Sequence, residues 1–317
     1  MVLGAFLADA AGMSLHWIYS QSEIAGLVGS GSPFFFNPPS CPFYDYQLGW
    51  GTPYGQQTQI TLAVGAAGGA FDPVAYASAM YAEYKAGGPA ARAGYYFDAS
   101  TKEFVANMAS GKTWPSCGGN DDQADAVAHV VPVVALYAGN TSRMLAAAET
   151  VIRVTQNTDN GVAFGLAAAR VLEKIVAGGL GGAAAVAGAI ADMRDPARAS
   201  PQAQDGALAQ RMEDATSAGA LAQDYSAFVL SAGQSCDYPF QLSAVANLLA
   251  RGAAYTNATA LAILAGGDSG SRNMWAGAAN AAILGDKAKL PADWAAKTSS
   301  YATIAPLAAK LVAQRPH

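Results

Sequence analysis

Alanine and glycine recur at helical spacing along nearly the whole chain, and that habit limits the fold more than any other feature of the sequence. Alanine is the strongest helix former, so long stretches punctuated by Gly, Pro and Asn or Asp read as helices joined by short turns. No segment alternates in the manner of a half-buried strand. Leu3, Leu7, Ala11, Leu15 and Ile18 mark one apolar face of a helix from Gly4 to Tyr19. The same grammar predicts helices over Gln57–Gly68, Val74–Lys85, Ser100–Met108, Asp121–Tyr137, Ser142–Val154 and Asp159–Val176. It continues through Gly181–Met193, Pro201–Thr216, Ala220–Ser231, Gln241–Ala250, Asn257–Leu264 and Ser269–Leu284 into a tail after Pro291. Small residues at helical spacing in Gly161–Ala169 and Ala276–Ala282 let helix axes approach closely. The expected fold is all-α, a compact orthogonal multi-helix bundle forming one domain over residues 1–317.

With 52% hydrophobic and 13% charged residues in 317, the chain has ample core material, which excludes disorder. A net charge of −5 with no basic run excludes nucleic acid as the main partner. The most apolar stretches, Val127–Tyr137 and Leu180–Met193, are too short or too rich in Ala and Gly to span a bilayer, so no integral membrane protein is expected. The N-terminus lacks the basic start of a signal peptide. Cys41, Cys117 and Cys236 form neither a disulfide framework nor a zinc pattern, so buried reduced thiols and a soluble protein of a reducing intracellular compartment are expected. Residues Gly26 to Pro53 read as a long ordered loop whose aromatics, Phe34 to Phe36, Phe43, Tyr44, Tyr46 and Trp50, plug the core rather than stack on a ligand.

Against this apolar background four polar clusters stand out. Asp9 and His16, about two turns apart on one helix side, read either as a hydrogen-bonded core pair or as an acid–base pair. Gly51-Thr-Pro-Tyr-Gly-Gln-Gln-Thr-Gln59 carries more amides and hydroxyls than a helix cap needs. In Gly118-Gly-Asn-Asp-Asp-Gln123, Asn120, Asp121 and Asp122 read as ordinary capping or as a site at a helix N-terminus. Gly266-Gly-Asp-Ser-Gly-Ser-Arg272 is either a tight turn or an oxygen-rich nest.

Taken in order, these clusters resemble the ADP-ribosylglycohydrolase superfamily, and within it the branch of J1 crystallins and selenoprotein J. The resemblance rests on Gly4-Ala-Phe-Leu-Ala-Asp-Ala-Ala-Gly12, Leu15-His-Trp-Ile-Tyr19, Pro42-Phe-Tyr44 and Tyr54-Gly-Gln-Gln57. It continues through Asp122-Gln123 to Val131-Pro132 and Tyr137-Ala-Gly139, Thr155-Gln-Asn157, and Gly266-Gly-Asp-Ser-Gly-Ser271. It implies an all-α fold and, in active members, two magnesium ions that help cleave the bond between ADP-ribose and a side chain. Where those members carry a Thr-Asp-Asp triplet this chain has Gly55, Gln56 and Gln57, and an Asp-x-Asp-Thr stretch falls on Asp268, Ser269, Gly270 and Ser271. The acidic residue that some members carry near the end of the first helix falls on His16.

One carboxylate of four survives at those positions. Magnesium depends on anionic oxygen ligands, so the resemblance implies at most one weakly held Mg²⁺, at Asp268 and Ser271, with no ion the expected state. It further implies Asp268, Asp9 and His16 as the candidate catalytic residues. Tyr54, Gln56, Gln57, Asn120, Asp121 and Asp122 are the candidate contacts to an ADP-ribose-like small molecule. The expected function is a protein with a degenerate two-metal site and weak or no ADP-ribosyl hydrolase activity. The alternative is a non-catalytic structural or accessory protein, crystallin-like, or a subunit with a protein partner.

Overall fold

The computed structural model describes residues 1–68 and 70–316. Six helices position the site: α1 (Val2–Gly12), α2 (Pro53–Gly68), α3 (Asp125–Tyr137), α4 (Asp159–Val176), α5 (Ser269–Leu284) and α6 (Tyr301–Val312). Further helices pack around them, and among the described residues there is no strand, only two isolated bridges, Gly119 with Gln156 and Gln123 with Asp237. No helix among the described residues is long and apolar enough to cross a membrane.

Helices α1 and α5, far apart in sequence, pack against each other along a glycine seam. A Cβ on Gly277 of α5 would stand 2.6 Å from the Ala8 Cβ and 2.8 Å from the Gly4 carbonyl oxygen, and one on Gly4 would stand 2.1 Å from the Ala281 Cβ. Only glycine lets these two helices approach so closely, and the seam carries Asp9 on one side and Asp268 on the other. Gly277→Val should cost about 2 kcal/mol through overpacking, read as a lowered denaturation midpoint with an unchanged slope.

Helix α3 is buried along its whole length, as a central helix must be when it is apolar all round. Pro132 inside it has no N–H to give the carbonyl of Ala128, four residues back. The Thr58 hydroxyl of α2, shared between Tyr54 O at 2.8 Å and that carbonyl at 3.0 Å, reaches it instead and ties α2 to α3.

Several boundaries differ from the sequence reading. The first helix stops at Gly12 rather than near Tyr19, giving way to a 3₁₀ turn (Met13–Leu15) and then to extended backbone at His16. Gly12 abuts Asn273, and a Cβ there would lie 2.3 Å from the Asn273 amide nitrogen. Asp9 and His16 therefore do not share a helix side. A helix at Gln21–Val28, opened by a Ser20 cap, overlaps the start of the expected loop. The stretch predicted as one helix over Ala220–Ser231 is two, Ala218–Ala222 and Tyr225–Ala232, because Asp224 caps a second start. Helix α3 begins at Asp125, not Asp121. All three cysteines are free, but only Cys117 is buried, Cys41 and Cys236 being half-buried.

Candidate active site

The turn Gly266–Gly267 has the left-handed backbone that glycine permits, and it delivers Asp268 to the first position before α5. Its backbone is clamped to the exit of α1: Trp17 N–H donates to Gly267 O at 2.9 Å, and Gly267 N–H to Ile18 O at 2.7 Å. Trp17 itself sits at φ 60°, an uncommon backbone for a bulky residue, which this pairing holds in place. Asp268 is fully buried. It accepts from Ser271 N–H at 3.2 Å, the Ser271 hydroxyl at 2.5 Å and the Tyr54 hydroxyl at 3.1 Å.

His16 faces the same carboxylate. Its Nδ1 accepts from Gly270 N–H at 3.0 Å, which assigns the ring proton to Nε2. Nε2 lies 3.8 Å from Asp268 Oδ1 and has no hydrogen-bond partner. The approach is not an ion pair. Burial, and then the charge of Arg272, push the imidazole well below its usual range, while burial raises the Asp268 carboxyl. Arg272 is fully buried; it donates to Gln241 Oε1 at 3.2 Å, to Ala262 O at 3.0 Å and to Gly266 O, and it supplies a fixed cation near Asp268.

Helix α2 divides the Gly55-Gln56-Gln57 triplet among three places, as 100° per residue requires. Position 55 has no side chain, and the space is taken by Asp9: a Cβ there would stand 2.1 Å from Asp9 Oδ2. Asp9 accepts from Thr52 N–H at 2.9 Å and from the Thr52 hydroxyl at 2.5 Å, and burial pushes its pKa up to about 7 despite those bonds. Gln56 points outward, donating to Gly51 O at 3.3 Å. Gln57 points inward, where its amide nitrogen donates to Asp98 Oδ2 at 2.5 Å, to Thr101 Oγ1 at 3.2 Å and to Asp125 Oδ1 at 3.2 Å. Two acids beside this atom assign it as the amide nitrogen, whose two hydrogens serve two of the three acceptors at a time.

Asp98 and Asp125 are the residues that sequence reasoning missed. Asp98 looks like a helix cap and is one, accepting from Thr101 N–H at 2.7 Å and from the Ser100 hydroxyl at 2.9 Å. Asp125 is a lone acid at the head of an otherwise apolar buried helix, and that placement was the available signal. Burial, and then the charge of Asp98, hold the Asp125 carboxyl well above the usual carboxylate range. Its Oδ2 and the Gln57 Oε1 are buried without partners. Four buried aspartates, Asp9, Asp98, Asp125 and Asp268, thus surround the site, more acidity than the family pattern implies.

The loop cluster is placed differently. Asp121 accepts from Gln123 N–H and Gln156 Nε2, and Asp122 accepts from the Thr158 hydroxyl at 2.5 Å and Asn160 Nδ2 at 3.0 Å, so both pin the loop to the start of α4. Asn120 is exposed, its N–H on Glu103. The aromatic loop splits as well. Phe34 and Phe35 pack on Trp294, as expected of plugs, whereas Phe43, 52% exposed, stands with Tyr96 edge-on to Trp17 beside His16.

A pair of magnesium ions does not fit these donors. Gly55 and Gly270 offer no ligand, and a Cβ at 270 would lie 3.0 Å from both His16 and Tyr54. Gln57 turns an N–H₂ group, a donor, toward the acids, and its own oxygen is an uncharged ligand where Mg²⁺ favours carboxylates. The Ser271 hydroxyl donates to Asp268, which leaves its oxygen as an uncharged ligand only. Among the described residues no three His, Cys, Asp or Glu side chains are grouped to share a metal.

Comparison with known proteins agrees with this architecture. A profile of the ADP-ribosylglycohydrolase family matches residues 1–317. Crystallin J1A of Tripedalia cystophora is 26% identical over 185 residues, which is 55% of this chain and 56% of that protein. The match thus spans about half the length of that curated relative. A solved structure described as an ADP-ribosylglycohydrolase-related protein complex superposes with a TM-score of 0.68 and 18% identity, covering 99% of this chain and 96% of the other. At that identity it speaks for the fold alone.

Proposed function

Since the chain belongs to the ADP-ribosylglycohydrolase family, we propose that it is a member whose two-metal site has degenerated, with weak or no hydrolysis of ADP-ribosyl N- or O-glycosidic bonds. The observation that carries this reading is the Gln57 amide nitrogen, which lies against the Asp98 and Asp125 carboxyl groups in a place where a cation would need another anion. Residual chemistry would rest on Asp268, whose raised pKa suits a proton carrier and whose carboxylate can stabilise an oxocarbenium-like state. Tyr54 and Ser271 hold it in place, while Asp9 is spoken for by Thr52. The similarity to Crystallin J1A favours a second reading, a non-catalytic structural or accessory protein that retains the fold.

Thermal melts of metal-free protein test both. A ligand at 100 times its dissociation constant adds about 2.7 kcal/mol, so bound Mg²⁺ or ADP-ribose would be visible. The expected result is no shift with millimolar Mg²⁺ and no release of ADP-ribose from an ADP-ribosylated protein. A shift with ADP-ribose alone would favour a binding role. Release that strictly requires a divalent ion overturns the proposal.

A further inference from the structure

The outer face of α2 carries a second feature, independent of the inward-facing Tyr54 and Gln57. Gln56, Gln59, Ile60 and Ala63, one face of the helix, form the wall of a groove of about 310 Å³ whose far side includes Tyr95 and, from α6, Thr303. A recess of about 40 Å³ shares Gln56, Gln59 and Tyr95 with it and is lined further by Trp50, Ser299 and Ser300.

The chemistry of the lining is selective. It includes no Lys, Arg or His, so an anionic ligand such as a nucleotide or a sugar phosphate finds no counter-charge. Amides and hydroxyls both donate and accept, which matches a ligand whose own groups do both, as sugar hydroxyls do. Gln56 is already fixed, its amide on Gly51 O at 3.3 Å and the Tyr46 hydroxyl 3.5 Å from its Oε1. The Gln59 amide and the Ser300 and Thr303 hydroxyls show no such bonds and stay available. Trp50 and Tyr95 meet edge to face with ring centroids 5.0 Å apart, a rigid corner against which the C–H face of a pyranose can pack. At about 310 Å³ the groove is within the usual range of small-ligand sites.

We propose that this groove is a binding site for a neutral saccharide. The one charged lining residue, Glu83, borders the groove but not the recess that Trp50 lines, and gives the competing possibility, a small organic cation.

Saturation-transfer NMR on the full chain tests the assignment, with maltose, lactose and diacetylchitobiose as probes and tetramethylammonium as the cationic control. At least one disaccharide should bind saturably. Gln59→Leu and Thr303→Val, which remove groups with no bonds to the fold and should leave the melting temperature unchanged, should each weaken it about tenfold. Trp50→Phe should weaken it less, and Glu83→Gln should leave it unaltered. Absence of saturable binding by all three sugars, binding indifferent to both the Gln59 and Thr303 variants, or preference for the cation with loss in Glu83→Gln would overturn the proposal. None of these readouts depends on Asp268 or on hydrolysis, so the outcome is separable from that of the proposed function.

Discussion

Asp9→Asn should gain stability over the parent chain as the pH rises, by up to about 4 kcal/mol between about pH 4 and pH 8. Burial lifts the Asp9 carboxyl from 3.8 to about 7, so the fold favours its protonated form. At about 1.4 kcal/mol per pH unit, the stability this group contributes is fully present below about pH 4 and is lost as the pH climbs through the folded value. Asparagine keeps both bonds to Thr52, accepting from its N–H and donating to its hydroxyl, and carries no charge to be repelled by Asp268. His16 and His129 pull the other way. Burial lowers both, His129 to about 3, so each costs stability as the pH falls from about 6.5. That opposing slope is common to both proteins and cancels in their difference. Urea midpoints for the two chains across this range are the measurement. Parallel curves would mean that Asp9 ionises in the fold as freely as in water, and the reading of this site as a set of buried, partly protonated acids would fail.

The helical architecture was legible because the signals for it are local. Alanine-rich runs and their caps are read over a few residues, and the predicted spans Asp159–Val176 and Ser269–Leu284 coincide with α4 and α5, which Thr158 and Asp268 cap through their side chains. The end of the first helix was not legible, because the apolar spacing runs on through Leu15 and Ile18 while the backbone tightens into a 3₁₀ turn at Met13 and becomes extended at His16. Asp121 and Asp122 have the composition of a helix start, yet their partners Gln156 and Thr158 come from beyond α3 and hold them as loop staples. The split of Gln56 from Gln57 was there to be read from 100° per residue, and with it the fact that two adjacent amides serve two different surfaces. What no spacing reveals is the meeting of residues 57, 98 and 125. Each has a bland local explanation, and only the packing of α2 and α3 with the helix that Asp98 caps, Ala99–Ala109, brings them within 3.2 Å.

That meeting supports the sharpest test of how this cluster is balanced. Gln57→Glu should cost about 4 kcal/mol at neutral pH in metal-free buffer, because it replaces a hydrogen-bond donor with a third carboxylate beside Asp98 and Asp125. Two like charges about 4 Å apart repel by about 4 kcal/mol at the effective dielectric of a partly relaxed protein site. The penalty has a definite pH dependence. The new carboxyl will be raised above its unfolded value of about 4.3, so the variant should approach the parent near pH 4 and fall away from it as the pH rises. Gln57→Leu separates charge from hydrogen bonding: it removes the donor and adds no anion, and should cost about 2 kcal/mol. Glu worse than Leu at neutral pH, with the gap closing in acid, is the expected pattern in denaturant titrations. Equal costs at every pH would show that the amide fills space without reconciling two acids. If Mg²⁺ restores Gln57→Glu and chelator removes the effect, one substitution stands between this cluster and a cation site. If Mg²⁺ does nothing, one added carboxylate does not make a cation site here, where Asp9 fills the space beside Gly55 and His16 and Tyr54 that beside Gly270.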